Sequence, residues 1–148
     1  MRATYRVLSG LVALAVVFQA AVVAFGGFGA IKEIEDGGVL TADSDFPNAG
    51  PMLHAIGGTM VIPLLVLVLL IVSFFAKVRG GVKWAALLVL AVAVQITLGF
   101  AGFELPALGL LHATNAFVIL TLALLGVRAA RTVTPAASDE TTGDAARV

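Results

Sequence analysis

The chain has no cysteine. That excludes disulfides, thiolate metal ligands, iron–sulfur clusters and covalently attached c-type haem, and it leaves the redox compartment unmarked. Charge is scarce too: Asp, Glu, Lys and Arg make up 12% of the 148 residues, roughly half the share of an average soluble domain. The nine basic and nine acidic side chains cancel, so no bulk positive field exists to attract nucleic acid. Histidine occurs only twice, at His54 and His112.

What is abundant is apolar surface. The chain is 60% hydrophobic with a mean hydropathy of +1.08, and the apolar residues gather in four runs, 7–28, 51–76, 82–100 and 107–127. Apart from Lys83, at the start of the third run, none holds an Asp, Glu, Lys or Arg. Each is near the roughly 20 residues that a helix needs to cross a bilayer core. Period-2 alternation is absent, which argues against a β-barrel. Backbone groups in lipid must be satisfied within each segment, so the expected fold is an all-α bundle of four transmembrane helices. The basic start of the first run (Arg2, Arg6) fits a signal peptide, but the run is longer than the roughly 7–15 residues of a signal core and is read as a retained span.

Seven basic residues, Arg2, Arg6, Lys77, Arg79, Lys83, Arg128 and Arg131, fall on one side of these spans, and Lys32 alone falls on the other. The positive-inside rule then puts both termini in the cytoplasm of a bacterial inner membrane. The outer side carries the loop with Glu33, Glu35, Asp36, Asp43 and Asp45, and a short turn at Phe103-Glu104-Leu105-Pro106. Residues 1–131 form the transmembrane domain, and 132–148, small and polar, are read as a disordered cytoplasmic tail. Short connections make the second and third helices, and the third and fourth, antiparallel neighbours. The simplest packing is an up-down bundle with helices two and four diagonal.

The chain also repeats itself. Gln19 and then Gly27-Phe28 precede Leu53-His54-Ala55, as Gln95 and then Gly102-Phe103 precede Leu111-His112-Ala113. The spacing predicts two helical hairpins, each offering one histidine at the same level on diagonal helices. Ionisable side chains within spans are functional candidates by default. Diagonal axes about 13–14 Å apart suit two imidazoles on one iron. Small residues one turn on, Gly57 and Gly58 after His54 and Ala116 after His112, leave room for a macrocycle. Gln19, Gln95 and Asn115 are expected to bond a ligand edge or a neighbouring helix; Thr59 and Thr97 are expected to bond their own helix. Phe25, Phe28, Phe100, Phe103 and Phe117 pack on a macrocycle or face lipid, and Tyr5 and Trp84 fit the aromatic belt on the basic side. Lys32 pairs with a haem propionate or with Asp36. The plainer reading of the histidines is two polar residues near the interface. Zinc and copper are disfavoured, because two imidazoles leave such a site two ligands short.

The run Gln95-Ile96-Thr97-Leu98-Gly99, the turn with Leu105-Pro106, and Leu111-His112 opening an apolar helix resemble one four-helix half of the haem A synthase family. The segment Leu111-His112-Ala113-Thr114-Asn115-Ala116 also resembles small four-helix bacterial membrane proteins of uncharacterised function. The first resemblance implies a haem b site near the outer face with His54 and His112 as iron ligands. It departs from the family at Pro51, where the substrate-side half has a glutamate, at Ala55 and Ala113, where an arginine often follows the ligand, and in lacking the outer-loop cysteine pair. Haem A synthesis by this chain alone is therefore not implied. The expected function is a bis-histidine b-haem membrane protein in electron transfer or haem handling, with the bilayer and a membrane redox partner or a second copy as partners. The alternative is a haem-free accessory subunit of a membrane complex. A transporter or quinone-reactive enzyme is disfavoured, because no acidic residue lies within a span to relay protons.

Overall fold

A computed structural model describes residues 1–41 and 43–131; the tail assigned above to 132–148 lies outside the described residues. Four helices follow one another: α1 (Arg2–Glu35), α2 (Gly50–Ser73), α3 (Gly81–Glu104) and α4 (Leu108–Arg131). All four are long and apolar enough to cross a membrane. α1 packs against α2 and α4, and α3 packs against α4 and the lower part of α2, with no comparable contact between the diagonal pairs. The helices thus form a ring in chain order, an up-down bundle in which α2 and α4 stand diagonally.

The helices differ from the apolar runs chiefly at their ends. α1 continues seven residues past Phe28 because nothing there breaks a helix; glycine alone costs only about 1 kcal/mol. It stops where Gly37 adopts a left-handed φ of +91° and the Gly37 and Gly38 amides bond back to Ile34 and Glu33, a glycine-based stop. α2 ends at Ser73, three residues before the apolar run does, in tightened turns from Phe74 to Ile71 and Phe75 to Val72. α3 carries Phe103 and Glu104 within its last turn. Leu105 is extended, φ −130° and ψ 95°, as a residue before proline prefers. Only residues 105–107 connect α3 to α4.

α2 is not one regular helix. Gly50–Ile56 and Ile62–Ser73 are α-helical, and Gly57–Val61 between them is a π turn. Pro63 explains it: proline has no N–H to give the Thr59 carbonyl, and its ring crowds that carbonyl. Widening the turn relieves the clash, and the Ile62 amide reaches back five residues to Gly57.

The tightest packing lies toward the end of the bundle that holds Arg2, Lys77 and Arg128. Tyr5, Val12, Leu69, Ala85, Leu88 and Ala123 are all fully buried there. Tyr5 donates its hydroxyl to the Gly81 carbonyl at 3.0 Å, tying the start of α1 to the start of α3. It is therefore a core residue and not part of an aromatic belt. Trp84 is half-buried, with the Lys83 ammonium 5.3 Å from its ring centre. At the opposite, acidic end, α1 and α2 meet through glycine. A Cβ on Gly50 would lie 2.5 Å from the Gly26 amide nitrogen and 2.6 Å from the Val22 carbonyl oxygen. Asn48 locks this crossing by donating to the Phe25 carbonyl and accepting from the Gly50 amide, both at 2.8 Å.

Candidate functional site

His54 is the fifth residue of α2 and His112 the fifth of α4, so both stand about 6 Å inside their helices. The fold brings these diagonal side chains together. Their ring centres are 6.0 Å apart and their planes are inclined by 69°. Both residues are half-buried.

The surroundings of the two rings differ. His112 Nδ1 lies 3.0 Å from the Gln95 carbonyl oxygen. As donor to that carbonyl it keeps the proton on Nδ1 and leaves the Nε2 lone pair available. Gly99, one turn after Gln95, gives the ring its seat: a Cβ there would be 3.2 Å from His112 Cε1 and 3.3 Å from Nδ1. Asn115, one turn along α4 from His112, donates to the Ala91 carbonyl and to Gln95 Oε1, both at 2.8 Å. α4 thus engages Gln95 twice, Asn115 at its side chain and His112 at its main chain.

On the α2 side, His54 Nδ1 is buried. The Gln19 main-chain carbonyl is its hydrogen-bonding neighbour, in the place that the Gln95 carbonyl holds for His112. The Gln19 side chain, 9% exposed, lies over Gly57, where its amide nitrogen occupies the place a Cβ would take, and near Gly58. Its Oε1 is buried without a partner. An orphaned polar atom such as Gln19 Oε1 is costly in an apolar setting, at about 1–3 kcal/mol.

Of the residues singled out in the sequence, His54, His112, Gln19, Gln95, Gly58 and Asn115 converge on this level. Gln19 and Gln95 do not bond each other. Ala116 packs against the core cluster. Thr59 and Thr97 donate to the Ala55 and Ala93 carbonyls of their own helices, as expected. The five phenylalanines turn outward, each at least half exposed on the bundle surface, with Phe103 at 85%. Lys32 pairs with Asp36, both exposed, so its partner is the local carboxylate. Gly99 and the Gln95 main-chain carbonyl were missed. The carbonyl leaves no trace in a sequence; Gly99 was readable as a small residue one turn from a glutamine within a span. Among the described residues no group of three or more His, Cys, Asp or Glu that could hold a metal ion converges. Comparison with protein-family models, curated proteins and solved structures gives no match.

Proposed function

We propose that this protein holds haem b between His54 and His112 in a membrane-spanning bundle and serves electron transfer or haem handling. The observation that carries the reading is the 6.0 Å separation of the two ring centres. A metal–nitrogen bond of about 2 Å, added to about 1.1 Å from nitrogen to ring centre on each side, puts opposed ligand imidazoles about 6 Å apart. The donor set fits as well. Haem iron needs only two axial donors beyond the porphyrin, and His112 is oriented through Nδ1 as metal-bound histidines usually are. Room for a planar group is supported by α2, whose Gly50–Ile56 segment packs on α1 while its contact with α3 comes from Ile62–Ser73. Haem b held by His54 and His112 would supply one-electron chemistry there. The chain's own residues orient the rings and exclude water with the apolar helix faces around them.

Protein made with ample haem supply is expected to show low-spin bis-imidazole absorption that either His54→Ala or His112→Ala abolishes. A wild-type protein without haem bands would leave the haem-free accessory subunit as the better reading.

The side of the membrane follows from charge. Arg2, Arg6, Lys77, Arg79, Lys83, Arg128 and Arg131 share one end of the bundle, which supports a cytoplasmic placement of that end in a bacterial inner membrane. A reporter fused after Arg131 should read cytoplasmic and one inserted near Asp43 external; the reverse at either site would overturn the orientation.

A further inference from the structure

The end of the bundle that holds Arg2 and Arg128 has no acidic side chain among the described residues; Glu33, Glu35, Asp36, Asp43, Asp45 and Glu104 all lie at the other end. Its cations gather where the start of α1 meets the connection from α2 to α3. Along that connection Ala76 and Val78 are buried while Lys77 and Arg79 are exposed, so the alternation turns both cations outward. Three bonds pin the main chain beneath them. Arg2 donates to the Lys77 carbonyl and Tyr5 to the Gly81 carbonyl, both at 3.0 Å, and the Gly81 amide donates to the Val78 carbonyl at 2.9 Å. Arg6 follows Arg2 by one helical turn, on the same side of α1. Lys83 is exposed, with its ammonium 5.3 Å from the centre of the Trp84 ring, and tryptophan favours the depth of lipid headgroups. Large apolar side chains stand among these cations. Phe74 and Phe75, just before Lys77, and Val82, just before Lys83, are all exposed.

We propose that Arg6, Lys77, Arg79 and Lys83 form a docking surface for an anionic phospholipid, the cations meeting its phosphate and Phe74 and Phe75 its acyl chains. Charge complementarity selects the anion, because each Lys or Arg near an anionic bilayer surface contributes about fivefold in affinity. The phenylalanines select its source: a free phosphate has nothing to lay on them, whereas a phospholipid brings its chains. The pinned turn favours binding, since the main chain that carries Lys77 and Arg79 is ordered beforehand. Neither the haem reading nor the side of the membrane that this end faces enters the argument.

The test uses full-length protein in nanodiscs of mixed phosphatidylglycerol and phosphatidylcholine, transferred to mild detergent so that retained lipid is counted by native mass spectrometry. The expected result is a preference for phosphatidylglycerol of at least about tenfold. Arg79→Gln and Lys83→Gln should each lower that preference about fivefold. Arg131→Gln, at the same end but on α4, diagonal to α2, should change it less than about twofold. All three side chains are exposed, so the fold is kept in each variant. Inorganic phosphate should displace no more lipid than sodium chloride of equal ionic strength, which screens without competing. Equal retention of the two lipids, an equal effect of Arg131→Gln, or selective displacement by inorganic phosphate would overturn the proposal.

Discussion

On the haem reading proposed above, replacing Gly99 with leucine is expected to cut haem retention at least tenfold while the bundle stays folded. Even a bare Cβ at this position would sit 3.2 Å from His112 Cε1, closer than ordinary van der Waals contact, and the rest of a leucine needs the volume that the ring occupies. The ring must swing away, and with it goes the bond from Nδ1 to the Gln95 carbonyl. Loss of such an outer partner alone costs about 10–100-fold in metal affinity. Gly99 lies beside a half-buried ring rather than in the tight core, so the helix contacts around Leu88 and Ala123 should survive. Gly27, with nothing within 4 Å of its Cβ position, provides the control: Gly27→Leu should leave haem content unchanged. Haem-to-protein stoichiometry after size-exclusion chromatography reads both. Full retention in Gly99→Leu would show that His112 does not depend on this seat.

The largest effect on stability is expected at Gly50. The atoms facing its missing Cβ are main chain, the Gly26 nitrogen at 2.5 Å and the Val22 oxygen at 2.6 Å, and main chain inside a helix cannot rotate out of the way as a side chain can. Gly50→Ala must therefore push α1 and α2 apart. Overpacking of this kind costs about 1–3 kcal/mol, occasionally more, and separation would also strain the two bonds of Asn48. Packing and hydrogen bonds, not solvent exclusion, hold helices together in lipid, so little is available to compensate. Thermal unfolding in detergent should show a clear drop in midpoint for Gly50→Ala and almost none for Gly109→Ala, where nothing lies within 4 Å. Equal midpoints would mean that the crossing is looser than its geometry.

How far these features were legible beforehand depends on the kind of interaction. The four helices were readable because a bilayer leaves an apolar run few other conformations. The meeting of His54 and His112 followed from chain order and depth. Helix ends were less readable: hydropathy reports where lipid stops, not where hydrogen bonding stops, so α1 outran its apolar segment to reach Gly37. Tyr5 was misread because an aromatic near a span end suits both an interface and a core. Only the Gly81 carbonyl, brought near by folding, decides between them. The π turn had a visible cause in Pro63 that the even hydropathy of the run 51–76 concealed.

That π turn sets the compass bearing of His54. An α-helix advances 100° about its axis for each residue, and a π turn absorbs one residue more than an α turn for the same closure. Everything before Gly57 is thus rotated by about 100° relative to a plain helix grown upward from Ile62–Ser73. Were the same residues wound as a plain α-helix throughout, His54 would stand about 1.5 Å further along the axis and about a quarter-turn away from the diagonal that joins it to His112. The proline at position 63 acts nine residues from the histidine, through the winding of the helix alone.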